Sequence, residues 1–162
     1  KVELEIGKPL LSYKDIPLSR EINPADVTVE VNNKKFTGGF CVNVGNPHII
    51  FFVKNCFEYD LKVLGPKIEN YNLFPEKTNV TFAQVMDRNN INVNVWERGA
   101  GLTKACGTAA CATAVAALKN KLASDKVDIK FKEGPLNIKI DKTDNIFMTG
   151  QVSEIKKIDL EI

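Results

Sequence analysis

Several residue types are scarce in this chain of 162 residues, and each scarcity excludes something. There is one histidine, His48, so no histidine cluster can bind a metal. The four cysteines, Cys41, Cys56, Cys106 and Cys111, contain no Cys-x-x-Cys pair and show no zinc-site spacing. Nothing points to secretion, so a disulfide framework is not expected, and Cys41, Cys56 and Cys111 read as small buried hydrophobes. Neither sign of charge dominates: 22 basic side chains face 20 acidic ones, for a net charge of +2. No basic run or stripe occurs, so the sequence gives no support for nucleic-acid binding. No apolar run reaches membrane-spanning length, and no signal peptide is recognisable. The expected location is therefore the cytoplasm. No cofactor or metal is expected. Arginine is also rare, with only Arg20, Arg88 and Arg98 beside 19 lysines. A chain that prefers lysine this strongly can reserve arginine for a planar fork, as carboxylate recognition requires.

Charge is missing altogether between Ala105 and Leu118, and that stretch organises the rest. Alanine, cysteine, threonine and valine lie on every side of it, with no polar stripe. A helix apolar all round is enclosed, and small residues let its surroundings come close. Cys106-Gly107-Thr108 forms its mouth. Unpaired backbone N–H groups point outward there, favouring a thiolate and attracting an anion. Gly107 lets a ligand approach the backbone, and Thr108 can donate from hydroxyl and N–H. A packed cysteine at a tight loop-to-helix junction would look the same, so local physics leaves both readings open. An ordinary thiol pKa of about 8.5 needs only a modest downward shift to serve as a base near neutral pH.

Short strands surround this helix in the sequence pattern. Val2–Ile6, Val27–Val31, Lys35–Val44 and His48–Val53 read as strands, with a hairpin turn at Asn32-Asn33. Gly38-Gly39 suggests a bulge or close packing, and the nearly all-apolar fourth strand is expected to be buried on both faces. Pro66 suits the first turn of a short helix ending near Pro75. Asn79–Met86 and Ile91–Trp96 form a hairpin, with Ile91, Val93 and Val95 on one face. Glu97-Arg98-Gly99-Ala100-Gly101 is read as a strand end and loop. Val127–Phe131, Leu136–Ile140 and Ile146–Thr149 are further strands, and residues 152–162 alternate loosely as one more. No alternating βα pattern and no internal repeat is evident. The expected fold is α+β: a curved, barrel-like mixed or antiparallel sheet wrapped around one buried helix.

Two further groups carry chemical potential. Glu97 could hold an ammonium group and Arg98 a carboxylate, a pair that suits a zwitterionic amino acid. The same dipeptide also suits an ordinary surface strand end. Gly45-Asn46-Pro47-His48 is a turn whose amide can donate and accept, and whose histidine could tune a nearby thiol. Asn79 has no independent claim.

Taken together, Gly45-Asn46-Pro47-His48, Leu64-Gly65-Pro66, Phe74-Pro75-Glu76-Lys77-Thr78-Asn79-Val80, Trp96-Glu97-Arg98-Gly99-Ala100-Gly101 and Ala105-Cys106-Gly107-Thr108 resemble the diaminopimelate epimerases. The motifs occur in the family's order across essentially the whole chain. The resemblance implies a cofactor-independent epimerase that interconverts LL- and meso-2,6-diaminopimelate, with two cysteines facing opposite sides of the α-carbon. It implies that Cys106 is one of them. Gly107 and Thr108 would hold the carboxylate at the reacting carbon and Glu97 the amino group there. Asn46, Asn79 and Arg98 would read the far end, and His48 and Glu97 would tune the thiols. The family's other cysteine lies in a Cys-Gly-Asn-Gly motif, which this sequence lacks, and Ala109 stands where the family often has glycine.

The expectation is thus a C-terminal epimerase domain over residues 1–151, with 152–162 returning to an N-terminal domain of the same protein. The chain opens on Lys1 inside a strand pattern, which fits something upstream having been cut away. By itself the chain is expected to be inactive. A homodimer is the family's usual state, although the sequence does not fix it. The alternatives are another isomerase of the fold, similar to the proline racemases, and a small-molecule binding domain without chemistry.

Overall fold

A computed structural model describes residues 1–151, and the strand expected over 152–162 lies outside the described residues. Ten strands and two helices follow one another: β1 (Val2–Gly7), β2 (Val27–Val31), β3 (Lys34–Asn43), β4 (Pro47–Phe52), α1 (Leu61–Glu69), β5 (Asn79–Asp87), β6 (Asn90–Glu97), β7 (Gly101–Thr103), α2 (Gly107–Lys119), β8 (Lys126–Phe131), β9 (Gly134–Ile140) and β10 (Ile146–Gly150). They form one mixed sheet in the order β1-β10-β9-β8-β6-β5-β4-β3-β2, with β7 added on β6. The sheet curves around α2 without closing. Among the described residues, no helix is long and apolar enough to cross a membrane.

Composition explains why α2 lies inside. Nine of its 13 residues are buried. It packs on β3, β4, β5, β8, β9 and β10. Its alanines meet Phe40, Val42, Ile50, Val93, Val95, Ile129 and Ile138 in one core. A second core lies on the other face of β3, β4 and β5, where Cys41, Ile49, Phe51, Val80 and Phe82 meet Leu61, Leu64 and Ile68 of α1. Strand β4 is thus covered on both faces, as its apolar run predicts. Residues 91, 93 and 95 of β6 share one face, as predicted, and that face meets α2, while Trp96 turns to the α1 side.

Three local readings need correction. The helix α1 begins at Leu61, not at Pro66. Asp60 caps it by accepting from the Lys62 N–H, and Pro66 lies within it. The proline forfeits one helical hydrogen bond, which a short surface helix on a well-filled core tolerates. Gly101–Thr103 is not loop but the short strand β7. Helix–strand alternation also exists. The β4/β5 pair and the β6/β8 pair are both parallel, and each is bridged by one helix. Intervening hairpins conceal this in the sequence. At Gly39 both expectations hold. The register shifts opposite it, and a Cβ there would lie 2.8 Å from Phe51 and 2.9 Å from Ile49. Asn32 and Asn33 take φ of 52° and 61°, which a tight two-residue hairpin turn needs.

Candidate active site at the mouth of helix α2

The sheet register builds the site. His48 of β4 lies beside Asn79 of β5 in the parallel pair. Val80 lies opposite Trp96, so one step further in the same register Asn79 lies opposite Glu97. Strand alternation turns all three toward the α2 side. His48, Asn79 and Glu97 therefore form a row across three adjacent strands at one sheet edge. The amino terminus of α2 opens at that edge.

Cys106 occupies the N-cap position of α2 with extended backbone (φ −152°, ψ 109°), and its side chain makes no cap hydrogen bond. It is 7% exposed. A relay of polar contacts leads from it to the histidine. The Sγ lies 3.5 Å from Thr108 Oγ1. Asn46 Nδ2 donates to the same oxygen at 3.3 Å. With that oxygen accepting from Asn46, the Thr108 hydroxyl hydrogen can turn to the sulfur. Asn46 Oδ1 in turn lies 2.8 Å from His48 Nε2. This network assigns the imidazole proton to Nε2. The other nitrogen, Nδ1, is buried and has no partner among the described residues. His48 thus reaches the thiol through Asn46 and Thr108.

Charge at the site follows from burial. Desolvation and then the Arg98 charge push His48 down to about 3, so the ring is neutral at neutral pH. Burial raises the Cys106 thiol above its ordinary value. The Thr108 hydroxyl and the Ala109 N–H pull it back down, and the Glu97 carboxylate adds to the rise. The downward shift expected from the helix mouth alone is therefore outweighed by desolvation. The other thiols rise through burial as well, Cys56 to about 11 and Cys111 to about 12, with Cys41 also raised.

Asn79 and Arg98 are tied together. Asn79 Nδ2 donates to the Pro47 carbonyl at 2.8 Å, and its Oδ1 accepts from the Arg98 N–H at 2.7 Å. Arg98 Nη1 donates to the Glu76 carbonyl at 3.0 Å. Asn79 thus fastens the starts of β4 and β5 to the end of β6, a role its sequence context did not suggest.

Two residues near the site carried no sequence signal. A Cβ on Gly107 would lie 3.1 Å from Sδ of Met148, so β10 borders the helix mouth and the methionine would have to give way to any side chain there. Glu69 at the end of α1 is only 6% exposed. It accepts from Trp96 Nε1 at 2.8 Å and from the Gly99 N–H at 3.0 Å. The one available hint was Trp96 itself, because a buried indole N–H needs an acceptor.

A family model described as diaminopimelate epimerase matches residues 40–155. The chain is 56% identical to a diaminopimelate epimerase of Pelagibacter ubique, over 99% of this chain and 60% of that protein. It is 42% identical to one from the Wolbachia of Brugia malayi, over 93% of this chain and 57% of that one. It therefore spans about three-fifths of the length of these relatives. A solved structure from Pseudomonas aeruginosa, described as a predicted epimerase, has the same fold, with a TM-score of 0.51 over 90% of this chain and 53% of that one at 14% identity. With the family match extending over most of its length, the chain belongs to the diaminopimelate epimerase family.

Proposed function

We propose that this chain supplies one wall of an epimerase cleft for 2,6-diaminopimelate, and that Cys106 is one of two acid–base thiols acting at the α-carbon. The observation that carries this reading is the placement of Cys106. It stands at an uncapped helix mouth, beside a row of three polar side chains at the sheet edge.

Removing the α-proton moves negative charge onto the attached carboxylate. The N–H groups of Gly107 and Thr108 are already at the helix mouth to receive it. Glu97 holds the ammonium group at the same carbon. Arg98, Asn46 and Asn79 read the other amino-acid end. Inversion needs a base on one face and an acid on the other, because a single base returns the proton to the face it left. Burial disfavours the Cys106 thiolate, and the thiol it favours is the state that delivers a proton. In the opposite direction it must be a thiolate, which the helix N–H groups and the Thr108 hydroxyl favour. His48 acts on the thiol indirectly through Asn46 and Thr108.

The second thiol is proposed to come from an upstream domain carrying the Cys-Gly-Asn-Gly motif. The chain alone then cannot epimerise. The test joins this chain to the upstream portion of the Pelagibacter relative and follows conversion of LL- into meso-diaminopimelate. The joined protein should invert the α-carbon, while the chain alone and the joined Cys106→Ala variant should not. Turnover by the chain alone would refute the half-cleft, and inversion persisting without Cys106 would refute its role.

A further inference from the structure

The segment that carries Glu97 and Arg98 is held from behind by α1. On the face away from α2, Trp96 lies against Gly65, where any Cβ would collide with the indole. One helical turn further along α1, Glu69 uses one oxygen for the Trp96 indole N–H and the other for the Gly99 N–H. These two donors bracket Glu97 and Arg98. The carboxylate is nearly enclosed, and burying one is costly unless its acceptor sites are filled.

We propose that Glu69 is a positioning residue. Seated through Gly65, it fixes the backbone of the 96–99 turn so that Glu97 and Arg98 meet the two ends of the amino-acid substrate. This rests on the epimerase reading for what the turn recognises, but not for the clamp itself.

The chemistry gives the clamp a diagnostic weakness. A carboxylate accepts two N–H donors at once. A glutamine of the same volume accepts only one and turns its own NH2 against the other. Glu69→Gln should therefore loosen the turn while keeping the packing. Trp96→Phe removes one of the two donors, so in that background a glutamine at 69 can satisfy the remaining Gly99 N–H.

The experiment uses the joined protein described above. Glu69→Gln should raise KM for diaminopimelate about tenfold and change kcat much less, because Cys106 is seated by a different helix. Trp96→Phe/Glu69→Gln should bind substrate as well as Trp96→Phe alone. A KM within about twofold of the parent, or a double variant no better than Glu69→Gln, overturns the proposal. If Glu69→Gln fails to fold, indole hydrogen exchange in the parent decides instead. The indole signal that Trp96→Phe removes should be protected from exchange, and rapid exchange overturns the clamp. A parent without epimerase activity but with a protected indole would contradict the functional reading and leave the clamp standing.

Discussion

The two helices do the same topological job under opposite conditions. Each bridges a pair of parallel strands. The surface helix α1 has a polar cap at Asp60, one buried face and one exposed face on which Val63 is 47% exposed. The enclosed helix α2 is covered all round, and among the described residues its N-cap side chain, Cys106, makes no cap hydrogen bond. A buried helix end normally finds partners for its N–H groups. At α2 the N-cap side chain is a thiol and makes no such bond among the described residues. The capped helix steadies the sheet from behind, and the uncapped one faces the proposed reaction.

The contrast can be broken at four points. Thiol reactivity should separate the mouth of α2 from its interior. Cys106 should alkylate faster than Cys111, Cys56 or Cys41, with each unit of pKa difference worth about tenfold in thiolate. Mass spectrometry of partly alkylated protein measures this, and equal rates at all four would contradict an open helix mouth. Packing should separate the helices next. Ala114→Leu in α2 should cost about 3 kcal/mol in denaturant unfolding through overpacking, whereas Val63→Ala on the exposed side of α1 should stay within about 0.5 kcal/mol.

The third point concerns acid. His48 is neutral and buried in the folded chain, with its pKa lowered to about 3, while the unfolded chain takes up a proton near 6.5. The unfolded state then binds more protons between those values, so stability falls as pH drops below 6.5. Between pH 6.5 and 4.5 this amounts to about 2 kcal/mol. His48→Gln should flatten that part of the stability curve, and an unchanged slope would show that the histidine is not its source. The smallest effect is at the cap. Asp60→Ala should cost about 1 kcal/mol, and no loss would mean that α1 does not depend on its cap.

The sequence made some of this legible because the signal was local. The charge-free stretch after Ala105 could only be enclosed, and the alternation of Ile91, Val93 and Val95 sets a face directly. Pro66 misled because a proline is usually the first residue of a helix, whereas the Asp60 cap and Leu61 set the true start. Strand β7 has three residues and two of them, Gly101 and Thr103, bracket a single leucine, so it shows no period. Asn79, Met148 and Glu69 take their roles from residues 19 to 41 positions away. Asn79 meets Arg98, Glu69 meets Trp96 and Gly99, and Met148 meets Gly107. No periodicity records such partnerships. Glu69 in particular reads as a solvated charge at a helix end until its surroundings are seen.

The row of His48, Asn79 and Glu97 also determines where the gene can change length. Side chains alternate across a strand, so one residue inserted between Asn79 and Ala83 would rotate Asn79 away from α2 and toward α1. Every polar group in the row would keep its identity and lose its address. Substitutions within these strands can be absorbed one at a time, but insertions and deletions cannot. They belong at turns such as Asp144-Asn145, beside Lys119 at the opposite end of α2, where an extra residue leaves the counting of β4, β5 and β6 intact.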